Sequence, residues 1–177
     1  MPKYFFIMGL PRSRTAWLSN WFTHQQSICT HDASRFTKQG VKTIRRILHK
    51  ADSFTSKRQY YGSSDSVNGW WYDELVQKFP DARFALIERN LDEVSDSCLH
   101  LFNDPCIKEL KALQTVHESL KLESNVKTVA FDRLNHPAVV QDLQRWLTPG
   151  IAFDYARFEM LNGLDITINP RKYAHGL

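Results

Sequence analysis

The sequence predicts an α/β fold of three layers, with helices on both faces of a central, mainly parallel sheet and a P-loop-like phosphate-binding turn after the first strand. Three observations predict it. Short apolar runs of strand length, as at Tyr4–Met8 and Phe84–Ile87, alternate with longer stretches of helical spacing. These runs are continuous rather than alternating, which suits strands buried on both faces. A turn rich in Gly, Pro and Arg follows the first run directly, in FFIMGLPRSRTAW.

Each element has its own signal. Tyr4–Met8 is the first strand; no small-residue cleavage site follows it, so it is not read as a signal peptide. A helix is expected from about Thr15, with Trp17, Leu18, Trp21 and Phe22 on one face. Ser27–Thr30 reads as a second strand. Val41, Ile44, Ile47 and Leu48 form the apolar stripe of a helix whose other face is basic. Ser53–Gly69 is polar and glycine-bearing, and reads as a loop or lid. Trp71–Phe79 is expected to be helical and to stop before Pro80. Phe84–Ile87 is the clearest buried strand, followed by helices over Asp92–Phe102 and Ile107–Leu122. Val126–Phe131 reads as another strand. Pro137 opens a helix ending at Leu147, before Thr148-Pro149-Gly150. A last helix is expected over Tyr155–Leu161, with Asp154 as its N-cap and Gly163 after it.

The chain has 177 residues, so one domain over 1–177 is expected, with a basic helix and possible lid at 35–69. No apolar run is long enough for a transmembrane helix. Cys29, Cys98 and Cys106 have no metal-ligand spacing, and the histidines form no metal pattern. A reduced, cytoplasmic setting without structural zinc is expected. Lys and Arg number 23 against 19 Asp and Glu, a net charge of +4. The excess is local: between Arg35 and Arg58 lie eight basic residues, opposed only by Asp52. Such a field suits an anionic small ligand. Nucleic acid and membrane are not expected as partners, and the oligomeric state is open.

The first turn has the form of an anion cradle. Backbone N–H groups and a helix N-terminus face the ligand. Ser13 and Thr15 add hydroxyls, and Arg12 and Arg14 add charge suited to phosphate or sulfate oxygens. It is not a Walker A loop, because Arg14 and Thr15 stand where Gly and Lys belong. A second anion-facing group lies at the end of another strand. Arg89 follows Phe84–Ile87 closely, and Ser97 lies two turns into the next helix.

PRSRTAW resembles the 5′-phosphosulfate loop of the sulfotransferases, P-[KR]-S-G-T-T. Pro11, Arg12, Ser13 and Thr15 match; Arg14 replaces Gly and Ala16 replaces Thr. RNLDEVSDS resembles the same family's R-N-P-x-D-V-x-x-S, with Arg89, Asn90, Val94 and Ser97 in register, Leu91 for Pro and Glu93 for Asp. Phe131, Asp132 and Leu134 keep part of a later Y-E-D-L segment. The Lys-Pro step that many members place before FPDARF is absent, and the chain is shorter than most members.

The resemblance implies a small sulfotransferase. It would move a sulfuryl group from 3′-phosphoadenosine 5′-phosphosulfate (PAPS) to an unidentified hydroxyl or amine, leaving 3′,5′-adenosine bisphosphate (PAP) and using no metal. It assigns Arg12, Ser13, Arg14, Thr15 and Ala16 to the 5′-phosphosulfate and Arg89 and Ser97 to the 3′-phosphate. Arg12 would also stabilise the leaving oxygen. Alignment of HQQSICTHD with the H-P-x-x-x-C-G-E-E of tyrosylprotein sulfotransferases makes Asp32 the first candidate for the base. His31 is the second, with a side-chain pKa suited to neutral pH. Arg171 and Lys172 resemble a nucleotide-binding Arg-Lys-Gly turn of cytosolic members. Trp17 and Trp21 are expected in the core; of Trp70 and Trp71, one is expected to pack and one to line an acceptor cleft. Two rivals stand beside this reading. A P-loop nucleotide or metabolite kinase lacks its Gly-Lys-[ST] here. A non-catalytic relative would account for Arg14 and the short chain.

Overall fold

The computed structural model describes residues 3–32, 48 and 58–164. Arg35–Lys57 of the basic run, the stripe residues Val41, Ile44 and Ile47, and Arg171 and Lys172 lie outside the described residues. Leu48 is described: it is helical and buried in the core.

Five strands, β1 (Lys3–Gly9), β2 (Ser27–His31), β3 (Tyr60–Ser64), β4 (Arg83–Glu88) and β5 (Val126–Ala130), form one sheet in the order β2-β3-β1-β4-β5. Every pairing is parallel. The described helices are α1 (Thr15–Phe22), α2 (Tyr72–Lys78), α3 (Leu91–Phe102), α4 (Ile107–Leu120), α5 (Pro137–Leu147) and α6 (Tyr155–Asn162), with 3-10 turns at Ser66–Gly69 and Phe131–Asn135. The alternation read from the sequence is therefore present, and the sheet is wholly parallel.

The continuous apolar strands divide by parity, as the pleat requires. Phe5, Ile7, Ala85 and Ile87 face one layer with Trp17, Trp21, Leu143 and Phe158. Phe6, Met8, Phe84 and Leu86 face the other with Tyr72, Leu75, Phe79 and Leu120. Trp17 and Trp21 stack at 6.0 Å, and both meet Phe158 edge-on, so they are core residues.

The loop expected over Ser53–Gly69 is corrected by the structure. Its described second half holds β3, inserted between β1 and β2 and buried at every residue. The strand is small because its neighbours are large. A Cβ on Gly62 would stand 2.2 Å from atoms of the Phe5 ring. Asn68, in the following 3-10 turn, is fully buried and donates to Ile7 O at 2.9 Å and Ser63 O at 3.1 Å. It thereby satisfies carbonyls near the ends of two strands. The strand expected to reach Phe131 ends at Ala130, and Phe131 opens a 3-10 turn.

Strand order also locates a crevice. From β1 the chain crosses to β2, returns through β3, and then passes over β1 to β4 and outward to β5. The direction reverses between β1 and β4, and ligands of open α/β sheets bind outside the carboxyl ends of strands at such a point. Gly9 permits the close approach there, since a Cβ on it would sit 2.9 Å from Ile87 O.

Candidate active site

Both turns singled out in the sequence open onto this crevice. The first runs from Leu10 to Arg14. Leu10 anchors it, buried among Val94, Cys98, Leu110 and Leu113 of α3 and α4. Arg12 and Arg14 both adopt left-handed backbone, at φ 68° and 60°. Each costs about 1–2 kcal/mol in a non-glycine residue. No side chain caps α1, so the opening amides of that helix are left for another acceptor.

The second turn begins at Arg89. Its Nη1 donates to Arg12 O, across 77 positions of sequence. Its guanidinium lies over the Phe131 ring, 4.1 Å from the centroid, and its Nε meets Glu93 Oε2 at 3.4 Å. Asn90 starts α3, its Oδ1 accepting from Asp92 N at 2.8 Å and Glu93 N at 3.2 Å. The same helix presents Ser97, whose Oγ accepts from Arg12 Nε at 3.2 Å. The two turns are thus joined by direct contacts between three of the residues the sequence proposed.

A third group arrives from β2. His31 Nε2 lies 3.2 Å from Thr15 Oγ1 and 3.5 Å from Asp32 Oδ1. Asp32 is left-handed as well, at φ 54°, and its amide donates to Ser64 O at 3.3 Å. This chain of contacts carries both base candidates to the first turn.

These groups line a cavity of about 530 Å³, within the range of small-ligand sites. Arg12, Arg14, Thr15, Ala16, His31, Asp32 and Arg89 are all on its wall. Of six non-glycine residues with positive φ among the described residues, four line it: Arg12, Arg14, Asp32 and Cys106. Backbone strain gathered at one cavity is typical of a functional site. The lining also has an apolar part, with Val67, Leu101, Phe102, Leu110 and Leu113. Trp70 also lines the cavity and is 46% exposed, whereas Trp71 packs against the core.

Two predicted residues sit differently from the rest. Ser13 is fully buried, off the cavity wall, and its Oγ has no hydrogen-bond partner among the described residues. Arg14 is on the wall, but its guanidinium is engaged laterally. Nη1 donates to Asn135 Oδ1 at 2.7 Å, Nη2 donates to Asn162 Oδ1 at 3.0 Å, and the group lies 4.5 Å from the Trp17 ring centroid. Burial lowers its pKa below the ordinary arginine value.

Sequence reasoning missed Asn135 and Asn162, for which no motif offers a signal. It gave Cys98 and Cys106 no place in the site, yet both line the cavity. Burial, with the neighbouring Cys106, pushes the Cys98 thiol up, while Arg12 and Arg89 pull it down. Phe131 had a signal in the partial late motif, but its place against Arg89 did not.

The architecture defines a parallel α/β protein whose arginine-bearing first turn lies at the switch point of its sheet. Its fold is that of the sulfotransferases. The chain resembles mouse sulfotransferase SULT7A1, solved with PAP, at TM-score 0.58 and 14% identity over 90% of this chain and 63% of that one. It resembles the sulfotransferase domain of the curacin biosynthetic pathway at TM-score 0.60 and 12% identity, over 86% and 76% of the two chains. A sulfotransferase from Alicyclobacillus acidocaldarius matches at TM-score 0.59 and 17% identity, over 98% and 90%. The chain spans less than two thirds of the mouse protein. No protein-family model matches the sequence, and no curated protein matches it.

Proposed function

We propose that this chain is a sulfotransferase that moves a sulfuryl group from PAPS to a hydroxyl or amine. One observation carries the proposal: the two motif-bearing turns meet, through Arg89 to Arg12 O and Arg12 to Ser97, at the switch point of a sulfotransferase fold. The donor set fits a doubly anionic nucleotide. Two guanidiniums, a threonine hydroxyl and an uncapped helix N-terminus adjoin one cavity.

The bound donor supplies the activated sulfuryl group. Thr15 and the first amides of α1 hold its 5′ end, and Arg89 with Ser97 holds the 3′-phosphate. Arg12 meets the negative charge that grows on the leaving phosphate oxygen, where a preorganised cation acts most strongly. The Asp32–His31 pair takes the acceptor proton; the imidazole lies within reach of both Thr15 and the carboxylate. The apolar part of the lining is the place for the acceptor.

Thermal unfolding with added nucleotide tests this. PAP at a hundred times its Kd should stabilise the protein by about 2.7 kcal/mol without Mg²⁺. For a chain of this size that is a rise of about 5–10 °C in midpoint. A shift with ATP and Mg²⁺ alone would select the kinase reading, and no shift with any nucleotide would leave a non-catalytic relative. Incubation with PAPS and panels of phenols, sugars and peptides, read as the mass gain of one sulfuryl group, identifies the acceptor.

A further inference from the structure

The loop resemblance puts glycine where this chain has Arg14, and the structure shows what stands in for it. A left-handed residue inside an anion loop normally relies on the freedom of glycine. Here the backbone is left-handed, yet the side chain is arginine. Its two terminal nitrogens reach different elements: Asn135 in the turn after β5, and Asn162 at the end of α6. Both anchors are held firmly. Leu134, beside Asn135, is fully buried. The α6 helix is tied to α1 by Trp17 Nε1 to Leu161 O at 3.1 Å and Arg157 Nη2 to Asn20 O at 2.7 Å. The flat guanidinium lies against Trp17, which is itself core. A planar fork with two separated acceptors and a stacked face has one orientation, which lysine would not reproduce.

We propose that Arg14 is a positioning residue: its clamp on Asn135 and Asn162 holds the left-handed turn, so that neighbouring groups, and not Arg14 itself, meet the anion. This rests on the donor-binding reading above. It transfers the requirement for glycine at this position to two asparagines that lie far away in sequence.

Four proteins test it: wild type, Arg14→Ala, Arg14→Gly, and the double variant Asn135→Ala/Asn162→Ala. PAP affinity is measured by calorimetry over a range of salt concentrations, and amide exchange is followed at residues 13–16. The double variant is expected to bind PAP about tenfold more weakly, a loss of about 1.4 kcal/mol. Arg14→Ala should be weaker still, because it keeps the left-handed strain and loses the clamp. Arg14→Gly should recover part of that loss, since glycine accepts the same φ. The salt dependence should match wild type in the double variant, which removes no charge. Exchange at residues 13–16 should quicken in the double variant and in Arg14→Ala.

Wild-type affinity in the double variant would overturn the clamp. So would equal losses in Arg14→Ala and Arg14→Gly, because a direct contact with the anion, unlike the clamp, is lost to the same extent whichever residue replaces arginine. Should wild type bind no PAP, the donor reading fails by itself. The clamp is then judged by exchange alone, and unaltered protection in the double variant overturns it.

Discussion

The two turns at the carboxyl edge of the sheet reach one cavity by opposite means. The turn after β1 is strained and open, left-handed at Arg12 and Arg14, with no side chain capping the helix that follows. The turn after β4 is relaxed and closed: no residue from 89 to 102 has positive φ, and Asn90 satisfies the first amides of α3. A helix end already bonded to its own cap has little to offer an anion, whereas an uncapped one presents its amides. The first turn therefore leaves backbone amides open beside the cavity, where the second presents the Arg89 side chain. Arg12 belongs to the first turn in sequence but leans on the second through Ser97.

Removing the two arginines separates the turns most strongly. Arg12→Ala is expected to lower turnover by about 10²–10³-fold, the usual loss when one donor to developing charge is deleted, with a smaller change in PAP affinity. Arg89→Ala should chiefly weaken PAP binding, by about tenfold or more, the scale of one charged hydrogen bond. Single-turnover rates and calorimetric Kd values read the two effects. A drop of equal size in both quantities for both variants would erase the distinction.

Acid probes the packing behind the two turns. His117 on α4 faces a small space lined by Leu10 of the first turn and by Ile87, Glu88 and Arg89 of the second. The ring is buried, and its Nε2 has no hydrogen-bond partner among the described residues. Burial pushes its pKa down to about 4. Glu118, which raises it, and Lys121, which lowers it, act more weakly. The folded protein therefore keeps this ring neutral while the unfolded chain protonates near pH 6.5. Its contribution is complete above that pH and is lost as the pH falls toward about 4, a change of about 3 kcal/mol. Urea midpoints taken across this interval should fall for wild type and fall less for His117→Gln; parallel curves would contradict the assignment.

The smallest effect concerns the cap. Asn90→Ala should cost about 1 kcal/mol and lower the thermal midpoint by about 2–4 °C. A midpoint that does not move would mean that the second turn is as open as the first.

Much of the site was legible because both turns write their chemistry in consecutive residues. Arg12, Thr15, Arg89 and Ser97 sit at intervals that a strand end and a helix turn impose. Asn90 was legible as a matching position, and the structure adds its work as a cap. Ser13 was read as a ligand contact; the residue is fully buried, and its hydroxyl has no hydrogen-bond partner among the described residues. Nothing in a short motif tells which side of a turn a serine faces. The strand YYGSS was hidden for a related reason. It supplies little apolar surface of its own beyond the two tyrosines, and Phe5 covers Gly62 from the neighbouring strand.

By itself the sequence determined the alternation of strands and helices, the anion-seeking turn after the first strand, and the second arginine at the end of another. These follow from side-chain periodicity and from turn residues a few positions apart. Only the tertiary structure decided that β3 slots between β1 and β2, that Arg14 turns toward Asn135 and Asn162, and that His31 meets Thr15. Those contacts join segments distant along the chain, and parallel pairing and side-chain direction at such distances leave no local imprint on either segment.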